Sequence, residues 1–187
     1  MYTAGMRFKV LLSLGIITIC AAHPLVAWES QAATPTLPPP TPVSAQEQTK
    51  QLNILYSQVN QLRRKHHLPQ LKVNRSLANG ARAYSQKMVR VHFFSHTEPG
   101  GGTLERRVVR SGYVPKGWIW AAGENLVWMG SQAQPGQHAF QMWLKSPHHL
   151  ENMLIREWVH MGAGWVPGNP WGNLGSTWTI WFGERFR

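Results

Sequence analysis

The sequence predicts an α+β fold in which helices cover a sheet. Two observations support this prediction. Apolar residues recur at helical spacing early in the folded part and in its middle, and segments of alternating apolar residues, typical of antiparallel strands, come late. The 187 residues are enough for one ordinary domain and too few for two.

Residues 1–27 predict a secretory signal peptide. Arg7 and Lys9 precede an apolar run from Val10 to Ala22, and small residues follow it. Cleavage after Ala22 or after Ala27 fits the small-residue rule, and the run is too short for a stable transmembrane helix. We therefore expect a secreted or periplasmic protein, which keeps an N-terminal membrane anchor if cleavage fails.

The composition excludes several kinds of active site. Cys20, the only cysteine, lies in the predicted signal peptide, so the mature protein has neither a disulfide nor thiol chemistry. All eight acidic residues are Glu, which excludes a Ser-His-Asp triad and an aspartic dyad. Removing Arg7 and Lys9 takes the formal charge from +11 to +9. This charge favours envelope polymers over nucleic acid as partners of an exported protein, or it serves solubility alone.

Residues 28–43 include TPTLPPPTP, which predicts a semi-rigid extended linker before a domain at residues 44–187. Ser44 and Glu47 have the spacing of a capping box at the start of a first helix, which runs to about His66. Its end, RRKHH from Arg63 to His67, is predicted to be a solvated helix terminus. Apolar residues at helical spacing give the helix one buried face: Leu52, Leu55, Val59 and Leu62.

Two further helices follow. The second begins near Asn74 or Ser76 and ends before HFFSH, and the third is short, with Thr103 as cap and Gly112 as stop. The segment WIWAAGENLVWMG predicts a strand that enters and leaves a turn. PGQHAFQMWLKS then predicts a helix, and PHHLENML predicts another short one.

The last part of the chain predicts two strands, EWVHMGAGWV and STWTIWFGERF, joined by the turn residues of PGNPWGN. In the first, Val159, Met161, Ala163 and Trp165 share one face, and His160 lies on the opposite face, where we expect it to be exposed. Aromatic residues on strands usually belong to the core and to cross-strand pairs, although some can stack on sugars or hold a lipid tail. Six tryptophans fall on predicted strands or turns: Trp118, Trp120, Trp128, Trp171, Trp178 and Trp181.

The adjacent histidines of WLKSPHHLENML lie at a helix start. Ser146 is a good N-cap, and Pro147 fits the first helical position. Successive helical residues point about 100° apart, so His148 and His149 cannot share one target. His149 borders the apolar side formed with Leu150, which suits a ring that lines a cleft, whereas His148 points to water. The alternative is that His149 bonds to a nearby backbone group.

Two other polar residues stand next to apolar anchors. His96 directly follows two phenylalanines and a serine in FFSH, and Glu124 lies between apolar residues in AAGENL. An acid in an apolar strand is costly unless it has a partner. Their separation in the chain means that only the fold can bring His96, Glu124 and His149 together.

Four segments in order resemble the bacterial branch of the CAP superfamily, also called the SCP domain: FFSH, GENL, WLKSPHHLENML and MGAGW. This superfamily includes cysteine-rich secretory proteins, antigen-five venom allergens and plant pathogenesis-related proteins. The resemblance covers roughly residues 50–187. It implies a three-layer α-β-α sandwich with a central antiparallel sheet and a central cleft that gathers His and Glu residues, which in some members bind zinc.

Carried over onto this sequence, the resemblance implies that His96, Glu124 and His149 line the cleft. Ser146 stands where the eukaryotic branch has a second Glu, so one carboxylate is missing. The remaining His, Glu, His set suffices for an open zinc site with a bound water. Asn125 and Asn152 match positions that we interpret as structural, because they tie turn and helix backbones together.

Three functions remain open. The first is a binding module whose cleft holds an envelope or extracellular ligand, such as a lipid, a glycan or a cell-wall component, with or without a divalent metal such as Zn²⁺. The second is a metal-assisted hydrolase of peptide, ester or cell-wall bonds, in which Glu124 is a ligand or the base that activates water. The third makes the His and Glu set a purely structural hydrogen-bond network. Binding is the preferred prediction.

Overall fold

The structure, a computed structural model, describes residues 42–130 and 134–187. The predicted signal peptide and the predicted linker up to residue 41 lie outside these ranges. The described part contains five helices: α1 (Ala45–Lys65), α2 (Arg75–Val91), α3 (Leu104–Arg110), α4 (Pro135–Leu144) and α5 (Pro147–Leu154). It contains four strands: β1 (Lys72–Val73), β2 (Ile119–Met129), β3 (His160–Asn169) and β4 (Gly172–Phe186). None of the helices in these ranges is both long and apolar enough to cross a membrane.

Side-chain caps begin α1 and α2 where the sequence predicts them. The Ser44 hydroxyl accepts a hydrogen bond from the backbone N–H of Glu47 at 3.1 Å, and the Asn74 side chain accepts one from Leu77 at 3.2 Å. Thr103 and Ser146 occupy the N-cap positions of α3 and α5, but neither side chain makes a capping hydrogen bond. Helices α3 and α5 therefore begin without a side-chain hydrogen bond to their first backbone N–H groups.

The strands form one mixed sheet in the order β1-β3-β4-β2. The three long strands pair antiparallel, as predicted, and β4 lies between β3 and β2. The two-residue strand β1 pairs parallel to β3, with Lys72 opposite His160. A strand of two residues is too short to produce an alternating pattern, which is why the sequence did not predict it.

Helices cover both faces of the sheet, which confirms the predicted three-layer sandwich. The larger core lies between the sheet and α1, α4 and α5, and includes Leu55, Trp143 and Met153. The second core lies between the sheet and α2 and α3, and includes Leu77 and Tyr84. The two cores together bury most of the apolar stripes that predict the helices.

Strand β3 is buried on both faces. Met161, Ala163 and Trp165 belong to the larger core, as the alternation predicts. The intervening glycines face α2, since a Cβ at Gly162 would lie 2.2 Å from the backbone nitrogen of Ala78. The close approach of α2 therefore requires glycine on that face.

The prediction that His160 is exposed is wrong. His160 is half-buried, and its Nδ1 lies 3.0 Å from the hydroxyl of Tyr113. Tyr113 is itself fully buried and packs edge-on against the imidazole. The sequence shows no periodic signal for this contact, because the segment that holds Tyr113 is a loop.

Strand β2 is continuous over 11 residues, so the prediction of a turn within WIWAAGENLVWMG is wrong. Gly123 stands inside the strand because α5 packs against it: a Cβ there would lie 2.4 Å from the Asn152 side-chain oxygen. The glycine therefore marks a close contact between layers and not a chain reversal.

The tryptophans divide into core and surface residues. Trp165 and Trp178 are cross-strand partners whose rings stack with centroids 5.0 Å apart, and Trp178 and Trp181 are almost fully buried. Trp171 is 62% exposed and Trp128 is 38% exposed, and their rings meet edge-on with centroids 5.3 Å apart. The usual core interpretation of strand aromatics therefore holds for the first group only.

Arg63 contradicts the prediction of a solvated helix end. It is fully buried, and its guanidinium donates to the carbonyls of Pro69, Met153 and Ile155 at 2.8, 2.9 and 2.8 Å. These bonds tie the end of α1 to the loop after it and to the end of α5. The neighbouring Arg64 is exposed and donates to the side chain of Gln70, as expected for a helix terminus.

We expect Arg63→Met to lower the free energy of unfolding by about 3 kcal/mol, because three carbonyls lose the charged donor that a buried guanidinium supplies. The matched variant Arg64→Met should change it by less than about 0.5 kcal/mol, since Arg64 is at the surface. Urea unfolding followed by circular dichroism measures both. Equal effects of the two variants would contradict the role of Arg63.

Candidate functional site

Glu124 places a carboxylate inside the protein near the middle of β2. Its side chain is 2% exposed and lies on the face that α2 and α3 cover. Trp181, its register partner on β4, donates its indole N–H to Oε2 at 2.8 Å. The sheet pairing itself thus supplies one of the partners that a buried acid requires.

Arg107 of α3 supplies the opposite charge. One terminal nitrogen donates to both oxygens of Glu124, at 3.0 and 2.9 Å. The other terminal nitrogen donates to the carbonyls of His96 and Gly102. The guanidinium also lies 3.6 Å from the centroid of the Tyr84 ring, where the cation and the ring attract each other. The pair is buried on both sides, so removing either partner would leave an uncompensated charge.

His96 connects this buried pair to solvent. Its Nδ1 lies 2.8 Å from Oε1 of Glu124, yet its side chain is 60% exposed. An ionised carboxylate only accepts hydrogen bonds, so Nδ1 of His96 carries the proton that it donates to Glu124. Arg107 holds the backbone of His96 from the same side. The ring is therefore oriented by buried groups and open at its far nitrogen.

His149 approaches from the opposite layer. It belongs to α5, and its backbone carbonyl accepts from the side chain of Asn125 at 3.0 Å. Asn152 in turn donates to Asn125 at 2.8 Å, which agrees with the structural interpretation of both asparagines. Burial lowers the pKa of His149, and repulsion from His96 and His148 lowers this pKa further. His149 is thus neutral at pH 7, whereas the side chain of His148 is 95% exposed, as predicted.

The structure thus brings His96 into contact with Glu124 and places His149 close enough for its charge to interact with His96. Ser146 is half-buried at the start of α5. The two histidines come from opposite sides of β2, an edge strand of the sheet, where His96 bonds to Glu124 and the backbone of His149 bonds to Asn125. The side chain of His96 is exposed, and His149 is half-buried.

The predicted zinc ligands do not fit a metal centre in this arrangement. Both oxygens of Glu124 already accept hydrogen bonds, from Arg107, Trp181 and His96. His96 directs Nδ1 at the same carboxylate and not at a shared point with His149. Within residues 42–130 and 134–187, no group of three or more His, Cys, Asp or Glu side chains is placed to hold a metal ion. Zinc binding stays a prediction that this geometry does not support.

The sequence did not predict Arg107 or Tyr84 as partners of the site. A usable signal existed for Arg107, because it falls on the apolar side of α3, beside Leu104 and Val108 at helical spacing. A cation buried on such a stripe needs an acid or several hydrogen-bond acceptors as partners. Glu124, an acid in an apolar strand, is the natural partner.

The family model for the CAP cysteine-rich secretory protein family matches residues 56–183. This match covers more than half of the chain, so the chain belongs to the CAP family, as the motifs predict. An extracellular protein containing an SCP domain, from Bacillus anthracis str. Ames, is 27% identical. Its structure gives a TM-score of 0.61, with 75% of this chain and 44% of that chain covered.

Two other relatives are similar. An outer surface protein from Borrelia burgdorferi is 23% identical with a TM-score of 0.61, covering 73% of this chain and 94% of that chain, which supports the fold alone. The protein YkwD of Bacillus subtilis (strain 168) is 31% identical over 123 residues, which are 66% of this chain and 43% of YkwD. This chain therefore spans less than half the length of YkwD.

We expect His149 to titrate below the ordinary histidine value of 6.5, since burial and two neighbouring histidines oppose its protonation. Because the unfolded chain then takes up the proton first, this residue lowers stability as the pH falls from about 6.5 to the pKa of the folded state. An NMR titration of the ring signals measures that pKa. His148→Ala should raise it by removing one repulsion, and a midpoint at or above 6.5 in the unmodified protein would contradict the account.

Proposed function

We propose that the domain is an extracellular binding module that holds an envelope ligand between the rings of His96 and His149. The observation that carries this proposal is the saturation of Glu124 by Arg107, Trp181 and His96. A carboxylate that is 2% exposed and already paired is a poor base for activating water. The exposed ring of His96 remains free to bind.

The chemistry of the two rings supports recognition of hydroxyl and amide groups. In its neutral form His96 offers Nε2 as an acceptor, since its Nδ1 proton is donated to Glu124. His149 is neutral, so it offers one donor and one acceptor. Sugars and peptides of a cell wall present both kinds of group at their surface, and each hydrogen bond to a neutral partner contributes modestly.

The net charge of the chain and the descriptions of similar proteins support an envelope ligand. The chain carries a formal charge of +11, and +9 without Arg7 and Lys9, which attracts anionic polymers. The Bacillus anthracis relative is described as extracellular, and the Borrelia burgdorferi neighbour as an outer surface protein. Export by the proposed signal peptide would place this protein among the same polymers.

The hydrolase alternative receives less support, because its water-activating carboxylate is the one that Arg107 holds. The structural alternative describes Glu124 well, but it leaves the exposed face of His96 without a role. We therefore assign Glu124 to positioning and the two rings to binding.

Cosedimentation with purified bacterial cell walls tests the proposal. We expect His96→Ala/His149→Ala to lose most of the retained protein, because both ring contacts are absent. The matched control His148→Ala/His138→Ala removes two exposed histidines and should be retained like the unmodified protein. Urea unfolding of all three proteins shows whether each is folded. Full retention of a folded His96→Ala/His149→Ala variant would refute binding through these rings.

A further inference from the structure

A second concave site lies on the α2 and α3 side of the sheet, behind Arg107. It is a cavity of about 440 Å³, within the size range of roughly 300–1,000 Å³ that is usual for small-molecule sites. Residues of α2, α3 and the strand β4 line it. Neither His96 nor His149 is part of its lining.

The lining is strongly basic. It contains the cations Lys87, Arg90, Arg107 and Arg110 and a single acid, Glu98. Glu98 pairs with Lys87 at 2.8 Å, and Arg107 is paired with Glu124 from behind. Among the described residues, Arg90 and Arg110 form no ion pair with an acidic side chain. Two positive charges, one from each helix, therefore face the cavity without a counterion from the described chain.

We propose that this cavity binds a phosphate ester, with the phosphate between Arg90 and Arg110. One guanidinium group can donate two N–H groups to two oxygens of a phosphate. Two guanidinium groups on facing helices can therefore bind the same phosphate from both sides. Tyr84 and Trp181 contribute aromatic lining against which the organic part of the ester can pack. The two histidines take no part in this site, although Arg107 and Trp181 line the cavity and also bond to Glu124.

Calorimetric titration of the full-length protein with glycerol 1-phosphate at constant ionic strength tests the proposal. The variant Arg90→Gln/Arg110→Gln removes the two unpaired cations of the cavity. The matched control Arg75→Gln/Arg106→Gln removes two exposed arginines from the same two helices, so the change in net charge is identical. We expect saturable binding that is weaker by about tenfold or more in the first variant and unchanged in the control.

Further titrations separate the possible outcomes. His149→Ala should bind the ester normally, which distinguishes this site from the histidine site. Acetate and inorganic phosphate should bind more weakly than the ester, since acetate has fewer oxygens and inorganic phosphate has no organic part. The proposal is overturned by equal losses in both double variants, by acetate or inorganic phosphate binding as tightly as the ester, or by the absence of saturable binding to the unmodified protein.

Discussion

The buried charge of Glu124 is the constraint on which the site depends. A carboxylate inside the protein must be paired, and Arg107, Trp181 and His96 together use both of its oxygens. Each partner comes from a different element: α3, β4 and the segment after α2. The hydrogen bonds to this one carboxylate therefore hold α3 against the sheet and orient the imidazole of His96.

Adjacent residues of β2 point to opposite faces of the sheet. Glu124 points toward α2 and α3 and orients His96, whereas Asn125 points the other way and binds the backbone of His149. Because successive side chains of a strand alternate, one short stretch of an edge strand can position a histidine from each helical layer. Sheet pairing and layer packing thus set much of the geometry of the site, although His96 itself lies on the connection between α2 and α3.

Local signals in the sequence predicted the helices well, because caps and apolar spacing act over a few residues. Ser44 and Asn74 are examples whose side-chain bonds the structure confirms. Contacts between distant residues were not predictable in this way: Arg63 looks like a helix-end cation, yet it bonds to a carbonyl 90 residues away. The cost of an acid in an apolar strand identified Glu124 as needing a partner, but the motif resemblance was required to group it with His96 and His149. Neither route identified Arg107.

A double-mutant cycle on Arg107 and Glu124 tests the central claim most directly. Arg107→Met, Glu124→Gln and the double variant are unfolded in urea beside the unmodified protein. If each side chain exists to compensate the other, the double variant should be more stable than the sum of the single losses predicts, by about 2 kcal/mol or more. Additive losses within about 0.5 kcal/mol would show that the two charges do not depend on each other, and would contradict the account.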